Sequence, residues 1–143
     1  MLYDTHTEMM ASYTYRLAGN LPEFEEFFEN SEVLVPNKDK KVLKVVGSKS
    51  HSNEAIIAFV EGLKNKTDRE IEIESLGSSL KFCLVFSGLC EIYAHFEPTI
   101  EWDTAAGQAI CEAAGLQVLN AKTQEPLQYN KEDLHHPFFI VSR

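Results

Sequence analysis

The chain has few of the features that are typical of a secreted protein or of a protein stabilised by a bound metal ion. Its 143 residues include only three cysteines and one tryptophan. Cys83, Cys90 and Cys111 form no CxxC pair, so we expect reduced core cysteines rather than disulfides or a zinc site. The first ten residues, MLYDTHTEMM, lack the basic and then apolar pattern of a secretory signal. Together these absences predict a cytoplasmic protein.

Long apolar runs and positive charges are also scarce. No apolar run approaches the about 20 residues that a membrane span needs. Lysine and arginine number 13 against 22 aspartates and glutamates, which gives a net charge of −9. This balance argues against non-specific nucleic-acid binding, because such binding depends on positive charge. A small phosphorylated ligand stays compatible, since its site needs only local positive charge.

The composition is that of one globular domain, with a change of character near residue 40. Residues 1–40 mix β-favouring aromatics with an acidic segment and predict no definite fold. Residues 41–143 alternate between strand and helix patterns, which predicts an α/β protein with a layered sheet of about five strands and helices packed on it. The predicted strands lie at 42–46, 70–75, 116–120 and within 89–96 and 137–143, and the predicted helices within 51–66, 80–88 and 101–115.

Three loops lead into predicted helices and carry polar side chains: 47–51 (GSKSH), 77–81 (GSSLK) and 102–104 (WDT). Helix starts present unpaired N–H groups and a partial positive charge, which suit phosphate. Serine hydroxyls and a lysine add donors and charge there, and such loops can meet at one edge of an α/β sheet. Gly-Ser-Ser before a helix is also a common cap, so both interpretations stay open.

Asp103 allows two interpretations as well. It could be the N-cap of the third predicted helix, a role that typically contributes about 1 kcal/mol. It could equally be a ligand of magnesium or calcium, since hard cations bind carboxylate oxygens. One carboxylate cannot hold a catalytic metal alone, because two-metal phosphoryl chemistry needs several.

Neighbouring residues have packing interpretations. We expect Trp102 to be a packing anchor beside the helix start, and the small residues within 105–114 to let that helix pack tightly on the sheet. His135 and His136 are expected on the surface, with their side chains pointing apart. Phe138 and Phe139 suit a strand that is buried on both faces.

The segments GSSLKFCLVFSG, EIYAHFEPT, EWDTAAGQAICEAAG, EPLQYNKEDL and PFFIV resemble, in this order, the C-terminal half of bacterial 3'(2'),5'-bisphosphate nucleotidases. These enzymes are lithium-sensitive, magnesium-dependent phosphatases of the inositol monophosphatase-like superfamily. The resemblance covers about residues 42–143 and implies the fold of that family's C-terminal lobe. The WD-x-A-x-G element indicates the superfamily, and GSSLKFC indicates the nucleotidase branch.

The resemblance implies an activity and site residues. The activity is removal of the 3'-phosphate from adenosine 3',5'-bisphosphate, and from its sulfated relative, in sulfate assimilation. Asp103 matches the aspartate that holds a magnesium ion near the scissile phosphate. The remaining matches contact the nucleotide and its phosphates: Ser50, His51, Gly77, Ser78, Ser79, Lys81 and His95.

The chain departs from the family pattern at two places. Bacterial relatives commonly carry Tyr-x-Arg-Phe where this chain has Tyr93-Ala94-His95-Phe96, and histidine grips anions only when it is protonated. This change leaves the identity of the nucleotide open. The metal motif Asp-Pro-x-Asp-Gly-Thr with an upstream Glu-Glu pair is absent, and the pair Glu25-Glu26 is interpreted as a solvated helix face.

From these departures we expect a truncated or split C-terminal lobe that is inactive by itself. Its partners would be a small phosphorylated nucleotide and either the missing N-terminal lobe or a second copy bound through the exposed lobe interface. Two alternatives remain: a non-catalytic phosphonucleotide-binding or assembly module, and the lobe of an inositol-phosphate phosphatase.

Overall fold

The computed structural model describes residues 41–47, 54–77 and 79–143, together with four short strands before residue 41. These strands are β1 (Leu2–Asp4), β2 (Met9–Ala11), β3 (Tyr13–Thr14) and β4 (Glu32–Val33). They form two antiparallel pairs, β1 with β2 and β3 with β4. No helix in the described part of the chain is long and apolar enough to cross a membrane.

A mixed five-stranded sheet is the centre of the part from residue 41 onward. Its strands are β5 (Val42–Gly47), β6 (Glu70–Ser75), β7 (Ile92–His95), β8 (Gln117–Asn120) and β9 (Phe139–Ser142), in the spatial order β6-β5-β7-β9-β8. β5 runs parallel to β6 and β7, whereas β9 is antiparallel to β7 and β8. The predicted α/β class and the number of strands in the sheet are confirmed.

Within the described residues, three helices follow β5, β6 and β7: α1 (Glu54–Lys64), α2 (Leu80–Phe86) and α3 (Glu101–Ala113). Gly88 and Gly115 come just after α2 and α3, and each has a φ of 76°. That left-handed conformation costs glycine little and other residues more. Both glycines therefore end their helices where the sequence predicts.

The helices cover both faces of the sheet because neighbouring strand residues point to opposite sides. Val46 and Tyr93 belong to the main core, which includes Phe82 of α2 and Cys111 of α3. Val45 and Ala94 point the other way, into a smaller cluster that includes residues of α1. The result is three layers, with α1 on one face and α2 and α3 on the other.

The two adjacent phenylalanines at the start of β9 differ in burial, although both were expected to be buried. Phe139 is fully buried in the main core, but Phe138 is 47% exposed. Phe138 precedes β9 and packs edge-on against Phe96, with their ring centroids 5.8 Å apart. The prediction of burial on both faces therefore holds for Phe139 and fails for Phe138.

α2 and α3 meet at a glycine. A Cβ added to Gly107 would lie 2.4 Å from Cδ2 of the buried Phe82 ring, which is closer than two carbon atoms can approach. Any side chain at this position would separate the two helices. The expectation of tight packing on the sheet is thus corrected for three residues. Gly107 serves a helix–helix contact, and Ala105 and Ala106 are exposed, whereas Ala114 packs against the main core.

Glu101 fixes the start of α3. Its carboxylate accepts hydrogen bonds from the backbone N–H of Asn130 at 2.7 Å and of Lys131 at 3.2 Å, and from Lys131 Nζ at 2.5 Å. One turn later, Thr104 Oγ1 lies 3.0 Å from Tyr129 Oη. These contacts tie α3 to the connection between β8 and β9, and they set the direction in which the first turn of α3 faces.

The helix–helix contact predicts opposite effects for two glycine-to-alanine substitutions. Gly107→Ala should lower the free energy of unfolding by about 1–3 kcal/mol, because the new methyl group overpacks against the Phe82 ring. Gly62→Ala in α1 is the matched control, since nothing lies within 4 Å of its added Cβ. It should raise the free energy of unfolding by up to about 1 kcal/mol. Urea denaturation measures both, and a Gly107→Ala variant as stable as the wild type would refute the contact.

The Glu101 contacts predict a pH-dependent stability. The hydrogen bond from Lys131, with those from the Asn130 and Lys131 backbone, lowers the pKa of Glu101 from 4.5 to about 2. The stabilisation is therefore complete above about pH 5 and is lost as the pH falls through 4.5 towards 2. The difference in unfolding free energy between wild type and Glu101→Gln should be constant near pH 7 and should shrink below pH 4.5.

The control for this experiment is Glu125→Gln, which changes an exposed glutamate on the same connection. The difference in unfolding free energy between this variant and the wild type should not shrink below pH 4.5 as the Glu101→Gln difference does. Denaturant titrations at several pH values between 3 and 7 compare the two variants. A Glu101→Gln difference that stays constant over this range would show that the carboxylate charge contributes nothing to stability.

Candidate functional site

α2, the end of β7 and α3 surround a cavity of about 590 Å³, here named the α2–α3 cavity. The residues that matter for its chemistry come from three segments. Ser79, Lys81 and Cys83 lie at or in α2; His95, Glu97 and Thr99 lie at or after the end of β7; and Trp102, Asp103 and Gly107 lie in α3. A cavity of this size with a few polar groups is typical of small-ligand sites.

The cavity brings together four of the predicted site residues: Ser79, Lys81, His95 and Asp103. Two of the three predicted loops, 77–81 and 102–104, therefore contribute to one cavity. Gly77 does not line it. Ser50, His51 and Ser78 lie outside the described residues, as does the Glu25-Glu26 pair.

The capping interpretations of the two helix starts do not hold. Ser79 occupies the N-cap position of α2, but its side chain makes no capping hydrogen bond. The N-cap of α3 is Ile100, and Asp103 lies in the first turn, two residues after the helix begins. Asp103 is exposed on the cavity wall. Its Oδ2 accepts a hydrogen bond from Thr99 Oγ1 at 3.4 Å.

Lys81 places a buried amine at the cavity. The residue is only 4% exposed, and its Nζ lies 5.2 Å from the centroid of the Tyr93 ring. The face of an aromatic ring attracts a cation, so Tyr93 stabilises the charged form. Burial lowers the pKa of Lys81, and the charge of Glu97 opposes that shift. An ammonium group held away from water in this way interacts strongly with an incoming anion.

His95 is buried beside Lys81 and is held on two sides. Its Nδ1 lies 2.8 Å from Tyr93 Oη, and its ring stacks on Phe139 with the centroids 4.8 Å apart. Burial and the charge of Lys81 lower the pKa of His95 to about 4. The imidazole is therefore neutral near pH 7, so it cannot supply a permanent positive charge as an arginine would.

Asp103 can contribute to a cation site but does not form one alone. A carboxylate oxygen is the ligand type that magnesium prefers, and the side chain is exposed at the cavity. However, the described residues contain no group of three or more histidine, cysteine, aspartate or glutamate side chains that could hold a metal ion. The chemistry of Asp103 thus fits one ligand of a magnesium ion, and the described residues alone do not complete such a site.

Two further expectations about this region need correction. Trp102 is 66% exposed and lines the cavity, so it is not a packing anchor. His136 is buried with its ring 4.9 Å from that of Tyr129. Neither of its ring nitrogens has a hydrogen-bond partner among the described residues. His135 is exposed as predicted, because adjacent side chains point apart and only one of the two can reach the interior.

Two polar residues of the cavity, Glu97 and Thr99, are not indicated by the sequence patterns. Both lie in the short connection between β7 and α3, so they join the strand that carries His95 to the helix that carries Asp103. That position between two candidate site residues is the signal that could have identified them. Glu97 matters electrostatically, because its charge acts on Lys81, Tyr93 and His95.

Comparisons with known proteins agree on the family. The family model described as inositol monophosphatase family matches residues 24–138. The 3'(2'),5'-bisphosphate nucleotidase CysQ of Shigella flexneri is 39% identical over 110 residues, which are 76% of this chain and 42% of that protein. An uncharacterized protein in the pss 5' region of Rhizobium leguminosarum bv. phaseoli is 43% identical over 72 residues, which are 46% of this chain and 75% of that protein.

A solved structure extends the match to three dimensions. CysQ from Bacteroides thetaiotaomicron, a bacterial member of the inositol monophosphatase family, superposes with a TM-score of 0.74 at 42% sequence identity. The superposition covers 88% of this chain and 46% of that one. The chain thus spans less than half the length of the CysQ proteins that it matches. With the family model matching most of its residues, the chain belongs to the inositol monophosphatase family.

Proposed function

We propose that the chain is the substrate-binding half of a magnesium-dependent 3'(2'),5'-bisphosphate nucleotidase. The complete protein would hydrolyse the 3'-phosphate of adenosine 3',5'-bisphosphate. The observation that carries this proposal is that Lys81 and Asp103, which lie on different helices, line one cavity of ligand size. This pairs a cation that attracts phosphate with a carboxylate that suits magnesium.

Each of the described polar side chains of the cavity would have a separate role in binding. The Lys81 ammonium attracts a phosphate group, and the Ser79 hydroxyl is free of a capping hydrogen bond and can donate to it. Because His95 is neutral, it offers a hydrogen bond without a charge. Asp103 would be one ligand of a magnesium ion, which would supply Lewis-acid chemistry at the phosphate when it is bound.

We also propose that this chain alone does not turn over substrate. Among the described residues, Asp103 belongs to no group of three or more side chains that could hold a metal ion. The sequence also lacks the Asp-Pro-x-Asp-Gly-Thr motif that the resemblance leads us to expect. Phosphate release would then require a first half supplied separately, and adding such a half should restore it.

A second candidate is favoured by the neutral state of His95. The hydroxyl groups of an inositol ring can be bound by an uncharged hydrogen-bond donor such as neutral His95. The second phosphate of a bisphosphate nucleotide would bind more strongly to a cation. The cavity would then belong to the lobe of an inositol-phosphate phosphatase. A third candidate, a non-catalytic phosphonucleotide-binding or assembly module, requires only Lys81 and the cavity.

Calorimetric titration with adenosine 3',5'-bisphosphate tests the proposal. We expect binding that magnesium strengthens, and no phosphate release by the chain alone. Asp103→Asn should remove at least about a tenfold gain in affinity from magnesium, since charged interactions of this kind contribute roughly 1.5–3 kcal/mol. Asp133→Asn is the matched control, because Asp133 is exposed and does not line the cavity.

The three candidates give different results in this experiment. A nucleotide affinity that is the same with and without magnesium, in both wild type and Asp103→Asn, would favour the non-catalytic module. Tighter binding of inositol 1-phosphate than of the nucleotide would favour the inositol-phosphate lobe. Phosphate release by this chain at a normal enzymatic rate would overturn the proposal that it is inactive alone.

We further propose that the exposed Trp102 is covered in an assembly, by the first half of the protein or by a second copy of this chain. A tryptophan that is 66% exposed at a cavity mouth is typical of an interface residue. Light scattering on the isolated chain should show a concentration-dependent dimer that Trp102→Ser weakens. A wild-type chain that stays monomeric at high concentration would count against a second copy as the cover.

A further inference from the structure

Two of the three cysteines lie where α2 and α3 meet, and the proposed function uses neither. Cys83 of α2 is exposed and lines the α2–α3 cavity. Cys111 of α3 is fully buried in the main core. All three cysteines are free thiols, and Cys90 is buried elsewhere in the same core.

The backbone geometry brings these two thiols close together. Cys111 Sγ lies 3.8 Å from the carbonyl oxygen of Phe82, and that carbonyl belongs to the peptide unit that leads into Cys83. Standard peptide dimensions then place Cys111 Sγ within roughly 7 Å of the Cα of Cys83. The contact between Gly107 and the Phe82 ring holds the helices together at this level. A disulfide needs Cα atoms about 4.4–6.8 Å apart. The Sγ contact bounds the Cα–Cα distance of the pair to roughly 10 Å, so closing the bond requires α2 and α3 to shift where they pack.

The two thiols differ in reactivity in a way that suits sequential oxidation. Burial, followed by the charges of Cys83 and Glu112, raises the pKa of the Cys111 thiol to about 12. Cys111 therefore stays protonated, and its burial keeps oxidants that are dissolved in water away from it. Cys83 is accessible from the cavity and is the thiol that an oxidant meets first.

We propose that Cys83 and Cys111 are an oxidisable pair that forms an intrachain disulfide between α2 and α3 in the wall of the α2–α3 cavity. The oxidant is a hydroperoxide. The Cys83 thiolate attacks the peroxide, the O–O bond breaks, and two electrons pass from sulfur to the peroxide. One oxygen remains on Cys83 as sulfenic acid, and with hydrogen peroxide the other leaves as water after taking up a proton.

The second step closes the bond. The Cys111 sulfur attacks the sulfenic sulfur of Cys83, the S–S bond forms, and the displaced hydroxide leaves as water with the Cys111 proton. The disulfide would draw the Cys83 side chain from the cavity wall towards α3. The shape of the cavity then depends on the redox state of the chain, whether or not the proposed nucleotidase activity is correct.

Thiol counting on the 143-residue chain tests the pair. The chain is treated with hydrogen peroxide, unfolded, and labelled with N-ethylmaleimide, and its mass is measured. The reduced chain should carry three labels, one for each free cysteine, and the oxidised chain should carry one. Peptide mapping should find Cys83 joined to Cys111. Because Trp102 is the single tryptophan and lines the same cavity, its fluorescence should change on oxidation and return on reduction.

Three variants separate the pair from other outcomes. Cys90→Ala should still lose both remaining labels on oxidation, and Cys83→Ser should keep both of its labels. Cys111→Ala should gain oxygen on Cys83 without forming a disulfide. The conservative Cys83→Ser change is at an exposed position, so its result does not depend on repacking the core. In the wild type, a disulfide that includes Cys90, a bond between two chains, or a Cys83 that gains two oxygens without forming a bond would overturn the proposal.

Discussion

The contact between Gly107 and the Phe82 ring is the constraint on which the rest of the site depends. A Cβ at Gly107 would lie 2.4 Å from that ring, so α3 can approach α2 only because the side chain is absent. Phe82 is itself locked in the main core, with its ring centroid 5.1 Å from that of Tyr93. The close approach places the first turn of α3, with Asp103, at the same cavity as Lys81. Without it, the two helices would present their polar groups to separate surfaces.

The charges of the cavity follow from how deeply each group is buried. Lys81 is buried over an aromatic ring; burial lowers the pKa of its amine, and the charge of Glu97 opposes that shift. His95 is buried beside that charge and stays neutral at neutral pH. Asp103 is exposed and keeps a carboxylate available to a cation. Within the described residues, the cavity thus offers one buried ammonium, one neutral imidazole and accessible carboxylates. This arrangement suits a ligand that brings a metal ion with it.

Local patterns were enough to predict the layers of the fold and to single out residues that line the α2–α3 cavity. β-branched runs identify β5, and glycines at 88 and 115 mark the ends of α2 and α3. Lys81 and Asp103 stand out because helix starts suit anions and carboxylates suit cations. Burial of individual residues was not predictable, because it depends on what a distant segment covers. Trp102 is exposed because nothing described packs over it, and His136 is buried because Tyr129 does. The neutrality of His95 depends on the same tertiary burial.

We propose that the α2–α3 cavity is the ligand site of this chain. It is tested most directly by following the amide and indole signals of the ¹⁵N-labelled chain during titration with adenosine 3',5'-bisphosphate and magnesium. The account predicts the largest shifts at Lys81, Asp103 and the Trp102 indole, which line the cavity. Residues of α1 and β6, such as Ile57 and Ile73, should stay unchanged. Shifts concentrated on α1 or β6, or the absence of any shift at the cavity when the ligand is in excess, would contradict it.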